Sequence, residues 1–310
     1  MPIYTGSDGT PLHYDDTDPG SAAPPLIVLA GGAARHPDYL GDLGGLAGSR
    51  RLVVPHLRGV GESPAGQAKA GSYWRQATDL EHLREHLGLD RIALAGHSAG
   101  TRLTTAYAAQ FPDRLERLIL ITPPATHLVS TAPDANALIA RRIQKQAPNE
   151  AAAAEAEAAR DEAQAKEAAV AEAKAAHDEA AAFETAVAAS RRGPDLTSED
   201  AFNAWHARCA PLGYAAWTET ERQHATIGRW SLPAAQAYFT INPPQDFAER
   251  LKKVTTPVRI IAGAQDCLTG LAPVLALSDL FPNGETVVIE NCGHYPWVEQ
   301  PEQFRKAMAY

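Results

Sequence analysis

Short, unbroken apolar runs punctuate the first 125 residues, with amphipathic stretches between them. Leu26 to Ala30 (LIVLA), Arg51 to Pro55 (RLVVP), Arg91 to Ala95 (RIALA) and Leu118 to Ile121 (LILI) show no apolar–polar alternation. Runs of this kind suit strands covered on both faces of a sheet. Arg75 to Leu87 and Thr101 to Gln110 carry apolar positions at helical spacing. Strand and helix in alternation predict an α/β fold with a mostly parallel sheet. At the start, Ile3 to Thr5 and Leu12 to Tyr14 flank Ser7-Asp8-Gly9, which reads as a hairpin turn. The alternation stops near Pro123-Pro124 and resumes at Pro257. There Val258 to Ala262 reads as a strand, Glu285 to Glu290 as the last strand, and Pro301 to Met308 as the final helix with Pro in its first turn. Residues 129–250 therefore read as a helical insertion, and residues 1–128 with 251–310 as the continuous core around it.

The insertion has two parts. From Ala151 to Ser190, 21 of 40 residues are Ala, and most of the others are charged. Asn149 suits an N-cap, Glu150 the first turn, Arg191-Arg192 the last turn and Gly193-Pro194 the stop. The segment of about 149–192 thus predicts one helix of about 60 Å at ~1.5 Å per residue, or two packed helices. Its larger apolar residues, Val170, Phe183 and Val187, are too few for a coiled-coil seam. It reads chiefly as a solvated structural helix, with a partner-binding or oligomer-forming arm as the other reading. The second part holds Trp205, Tyr214, Trp217, Trp230, Tyr238 and Phe239, enough aromatic surface to wall a substrate pocket or to pack the insertion on the core.

Composition removes several classes of function. The chain has 310 residues, with 28 Lys and Arg against 37 Asp and Glu, a formal net charge of −9. An acidic balance does not suit phosphate neutralisation, so no nucleic-acid partner is expected. No run of about 18 apolar residues predicts a membrane span. The opening MPIYTGSDGT lacks the basic start and apolar stretch of a secretion signal. Three scattered cysteines (Cys209, Cys267, Cys292) form neither a disulfide framework nor a zinc motif. A cytoplasmic, reducing location fits, and no metal or organic cofactor is expected.

Chemistry concentrates at three places. Gly96-His97-Ser98-Ala99-Gly100 follows the Arg91 to Ala95 strand directly and precedes a helix. This is the G-x-S-x-G nucleophile elbow in its meaningful context, with Ser98 as nucleophile and the His97 ring turned elsewhere. A hydroxyl needs a base to take its proton. His294, in the loop just after the last strand, is placed for that role. The base needs an acid to hold its tautomer, and Asp266, past the end of the Val258 to Ala262 strand, fits better than Asp246, which lies before it. Two backbone N–H donors should stabilise the oxyanion: Ala99, and Gly32 in the Gly31-Gly32-Ala33 loop, with Ala33 the rival. Cys267 and Cys292 flank the acid and base loops and read as buried free thiols.

On these residues the chain resembles the α/β-hydrolases, and within them the proline iminopeptidase-like serine hydrolases. The motifs are GHSAG, the run His56-Leu57-Arg58-Gly59-Val60-Gly61-Glu62-Ser63 and the ending GHYPWVEQPEQF. The resemblance implies an eight-stranded core sheet with a helical cap inserted after the sixth strand. It also implies Ser98, Asp266 and His294 as a triad and Gly32 with Ala99 as oxyanion donors. The chain departs from the iminopeptidase pattern: AGGAA replaces HGGPG, Ala99 replaces a Trp, and His56 replaces an Asp. These departures bear on specificity for N-terminal proline, not on hydrolase chemistry. Such a peptidase also needs cap carboxylates for the substrate ammonium, and Glu219 and Glu221 beside Trp217, with Glu199 and Asp200 nearby in sequence, are the candidates. With Trp205, Trp217, Trp230 and Tyr238, Glu219 and Glu221 complete the expected substrate-binding set. The leading expectation is cleavage of a small-molecule ester or amide. A proline iminopeptidase is the alternative, followed by a thioesterase, an acyl transferase or a non-hydrolytic protein on the same scaffold.

Overall fold

The computed structural model of the chain describes residues 1–67, 69–146 and 163–309. Eight strands form one sheet: β1 (Ile3–Thr5), β2 (Pro11–Asp16), β3 (Leu26–Leu29), β4 (Leu52–Pro55), β5 (Ile92–His97), β6 (Leu115–Ile121), β7 (Val258–Gly263) and β8 (Gly284–Ile289). Their order is β1-β2-β4-β3-β5-β6-β7-β8. β1 pairs antiparallel with β2, and β2 with β4; every other pairing is parallel. The apolar runs are buried because they lie in the middle of this sheet. β3 is inaccessible along its whole length, and Leu118 to Ile121 of β6 likewise.

Helices cover both faces. α1 (Tyr73–His86) and α2 (Gly100–Gln110) pack on one face, where Leu80, Leu83, Leu103 and Tyr107 join β3 and β5 in one cluster. Ser72 caps α1 by accepting from the Arg75 N–H. On the other face Trp297 and Phe304 meet Val28, Ala95 and Ile261.

Between β6 and β7 the chain leaves the sheet, as expected for a cap after the sixth strand. α3 (Ala135–Gln146), α4 (Ala163–Arg192), α5 (Glu199–Cys209), α6 (Glu219–Ala225), α7 (Leu232–Tyr238) and α8 (Phe247–Leu251) make up its described part. Asn149 and Glu150, the expected start of the Ala-rich helix, lie outside the described residues, as does the side chain of Val170. The expected end is present: Arg191 and Arg192 close α4, and Gly193 follows at φ 79°. The last turns of α4 are docked rather than solvated. Phe183 and Val187 bury against Leu212 and Cys267, with Leu138 and Ile139 of α3 alongside. Burying two such side chains is worth about 4 kcal/mol, enough to hold an otherwise polar helix on the core. Three short helices complete the fold after β7: α9 (Ala272–Ala276), α10 (Pro296–Glu299) and α11 (Pro301–Met308). No helix among the described residues is long and apolar enough to cross a membrane.

Candidate active site

β5 ends in a sharp turn. Ser98 stands at φ 51°, a left-handed conformation that costs a non-glycine residue of order 1 kcal/mol. The turn is held by the Ser98 N–H, which donates to the Ile121 carbonyl at 2.8 Å, and by Thr101 N–H, which donates to the Ser98 carbonyl at 2.9 Å. Crowding explains the flanking glycines. A Cβ on Gly96 would lie 2.6 Å from Thr104 Cγ2, and one on Gly100 would lie 2.5 Å from the Ala30 carbonyl oxygen.

Asp266 and His294 reach the same sheet edge from the ends of β7 and β8. His294 Nδ1 and Asp266 Oδ2 are 2.7 Å apart, and both residues are buried. Burial alone would push the Asp266 carboxyl up. The His294 ring, the Thr269 hydroxyl and the Leu268 N–H outweigh it and hold the carboxyl below the usual carboxylate range. The loop that carries His294 is fixed by its N–H, which donates to the Gly213 carbonyl at 2.7 Å. The His97 ring turns away from the elbow's outer face, as expected. Burial first, and then the neighbouring His294, hold its pKa well below the ordinary value, so it is neutral. Its Nε2 contacts the His294 carbonyl at 2.9 Å and its Nδ1 the Tyr39 hydroxyl at 2.8 Å. That hydroxyl also accepts from the Gly31 N–H at 2.6 Å. One tautomer satisfies all three bonds, with the proton on Nε2, and it ties the Gly31 loop to the His294 loop through the sheet edge.

Glu299 braces the same loop from outside. Its carboxylate accepts from the Gly293 N–H at 2.7 Å and the Ala215 N–H at 2.6 Å. Burial outweighs these bonds and pushes its pKa up from 4.5 to about 7. The folded protein therefore keeps this proton where the unfolded chain has lost it, and stability falls as pH rises through that window. Asp8, Asp16 and Asp266, held below the usual range, act in the opposite direction at lower pH. In Glu299→Gln one backbone N–H faces an amide N–H, which costs about 1–3 kcal/mol. The melting-temperature difference between wild type and Glu299→Gln is expected to shrink from about pH 5 to about pH 7. A constant difference would remove Glu299 as the titrating group.

Ser98 and His294 open into one cavity of about 270 Å³. Gly32, Arg35, Trp205, His206, Tyr214, Trp230 and Tyr295 are among its lining residues, and among the described residues no carboxylate lines it. The sequence-derived set divides here. Ser98, His294, Gly32, Trp205 and Trp230 meet at the cavity, Asp266 stands behind His294, and Ala99 follows Ser98 into α2. Four expected substrate-binding residues do not line it. Tyr238 is buried beneath, its hydroxyl donating to the Ala99 carbonyl at 2.9 Å. Trp217 packs on Tyr214 at a ring distance of 5.5 Å. Glu219 is exposed and accepts from Gln223. Glu221 closes a capping box with Thr218 at the start of α6 and borders a separate recess with Glu299. Cys267 and Cys292 are free and buried, and burial pushes the Cys267 thiol up to about 12.

Arg35 was not foreseen. It is 2% exposed, and its guanidinium donates to the carbonyls of His224, Ile227 and Gly228 and to the Tyr295 hydroxyl. The only sequence signal is a lone charge closing the small-residue run AGGAAR. Among the described residues no group of His, Cys, Asp and Glu is placed to share a metal ion.

A parallel-sheet core, a serine on a left-handed turn after its central strand and a paired His and Asp on later strand ends define an α/β hydrolase. The model of the alpha/beta hydrolase fold matches residues 24–301, and the chain belongs to that family and is a hydrolase. A proline iminopeptidase of Lactobacillus helveticus is 25% identical over 306 residues, 96% of this chain and 92% of that protein. A cis-3-alkyl-4-alkyloxetan-2-one decarboxylase of Shewanella oneidensis is 27% identical over 133 residues, 42% of this chain and only 41% of the decarboxylase. The solved structure of a thermophilic esterase from Thermogutta terrifontis, with malate bound, superposes with a TM-score of 0.59 at 25% identity, covering 99% of this chain and 96% of that one.

Proposed function

We propose that the protein is a cofactor-independent serine hydrolase that cleaves a small-molecule ester or amide through an acyl-enzyme on Ser98. The observation that carries this reading is His294, paired with Asp266 at 2.7 Å, opening with Ser98 into an aromatic cavity that no carboxylate lines among the described residues. Ser98 Oγ bonds to the substrate carbonyl carbon while its proton passes to His294 Nε2. The backbone N–H groups of Gly32 and Ala99 hold the oxyanion. His294 returns the proton to the leaving group, then takes one from water as the water attacks the acyl carbonyl. Asp266 keeps the His294 proton on Nδ1 and stabilises the imidazolium. Residues 129–250 serve as the cap that walls the acyl site, and residues 1–128 with 251–310 as the core that carries the chemistry.

The iminopeptidase relative, matched along nearly the whole chain, supports a second reading, action on N-terminal proline. That substrate brings an ammonium group, which needs a carboxylate when desolvated. Glu219 and Glu221 are spent elsewhere, and the cavity holds the Arg35 cation instead. An ester such as 4-nitrophenyl acetate should therefore be cleaved in preference to prolyl 4-nitroanilide, with Ser98→Ala as the blank for both. Ser98-dependent cleavage of the anilide at a comparable kcat/KM would replace the esterase reading with the peptidase one.

A further inference from the structure

Arg35 is a buried cation in an uncharged cage. Its guanidinium carbon lies 4.2 Å from the Tyr39 ring centre and 4.4 Å from that of Trp230. Among the described residues no carboxylate pairs with it; carbonyl dipoles and aromatic faces hold it in place. The histidines around it add no negative charge. Burial, and then Arg35 itself, push His206 down to about 3, and burial chiefly pushes His224 down to about 4. Among the described residues no anionic side chain lines the cavity to balance the positive charge.

Two unpartnered ring nitrogens share that cavity. Trp230 Nε1 and His206 Nε2 are buried with no hydrogen-bond partner among the described residues. The two rings stack at 4.0 Å, with planes 2° apart. Trp230 Nε1 sits directly over Gly32, where a Cβ would collide with it, so the indole N–H lies beside the Gly31-Gly32-Ala33 loop that borders the cavity. The Trp230 backbone is fixed too, its N–H donating to Asn203 Oδ1 at 2.9 Å, and an isolated bridge joins residue 230 to residue 35. A buried donor left without an acceptor is costly. A cation over the indole face also makes its N–H a stronger donor.

We propose that this wall of the cavity is a carboxylate subsite, and that the enzyme prefers esters or amides whose acyl part ends in a carboxylate. Trp230 Nε1–H and the Nε2–H tautomer of His206 donate to the carboxylate oxygens. Arg35 supplies the balancing charge through its fixed position and completes no bidentate bond. The inference rests on Ser98 being the acylated residue.

Wild-type enzyme should be compared on 4-nitrophenyl hemiglutarate and 4-nitrophenyl pentanoate, which share a five-carbon acyl chain and differ in the terminal charge. A kcat/KM ratio of about ten or more in favour of the hemiglutarate, expressed mainly in KM, is expected for hydrogen bonds to a charged acceptor. Trp230→Phe removes the N–H and keeps the ring, and should lower that ratio about tenfold. Arg35→Met should lower it further; because Arg35 also fastens the cap, Trp230→Phe carries the test if that variant does not fold. A wild-type ratio near one, or a ratio unmoved by Trp230→Phe, overturns the subsite while Ser98-dependent pentanoate cleavage keeps the hydrolase reading. If neither ester is turned over, calorimetric titration of the intact chain with glutarate decides. Binding weakened about tenfold by Trp230→Phe supports the subsite, and no binding overturns it.

Discussion

Replacing Ser98 with Ala is expected to lower kcat on a cleavable ester by about a millionfold, the scale seen when a nucleophile working as one unit with its base is removed. The loss should be chemical. Alanine keeps the Cβ, so the left-handed turn at φ 51° and the Ser98 N–H bond to Ile121 remain. The melting temperature should stay within about a degree, since no buried contact is deleted. What survives is the catalysis that oxyanion donors and substrate binding give by themselves, about a thousandfold or more over water. A Ser98→Ala enzyme within a hundredfold of wild type would move the nucleophile elsewhere.

Asp266→Asn should cost about ten-thousandfold in kcat at neutral pH, by a different route. Oδ1 of Asp266 accepts from the Leu268 N–H at 2.8 Å and the Thr269 N–H at 3.2 Å, while Oδ2 faces His294 Nδ1. An asparagine must keep its oxygen toward the two backbone donors, which turns its NH₂ toward His294. Nδ1 then becomes an acceptor, the ring proton moves to Nε2, and the base no longer has a lone pair for Ser98. The low pKa of Asp266 gives this bond its pH dependence. The carboxylate's stabilisation is present above the ordinary carboxylate range and is lost as pH falls through its depressed folded value. A loss below tenfold in kcat for Asp266→Asn would show that Asp266 does not set the tautomer.

The sheet was readable because buried parallel strands leave uninterrupted apolar runs. The edges were less so. β6 starts at Leu115, three residues before the LILI run, because Glu116 is exposed and Arg117 half-buried where the strand enters the sheet. β5 runs on through Gly96 and His97, which pair with Leu120 and Ile121, so the elbow residues are themselves strand. The placement of Ser98, Asp266 and His294 at one sheet edge was legible because Ser98 follows β5 directly and the other two lie in the loops after β7 and β8. The cap was not legible at side-chain level. Thr218-Glu219-Thr220-Glu221 carries a capping-box pattern, a local reason for Glu221 that competes with any role in ammonium binding. Tyr238 and Trp230 look alike in sequence, yet one anchors the Ala99 carbonyl and the other walls the cavity. Arg35 was invisible because most of its hydrogen-bond partners are backbone carbonyls, the His224 one 189 residues away in sequence, and carbonyls leave no residue signature.

The most direct test is intact-protein mass spectrometry after treatment with a fluorophosphonate, on wild type and on Ser98→Ala. One adduct on wild type, mapped to the peptide holding Ser98 and absent from the variant, is the expected result. An adduct that persists in Ser98→Ala, or an unlabelled wild type that still cleaves ester, would contradict the assignment of Ser98 as the acylated nucleophile.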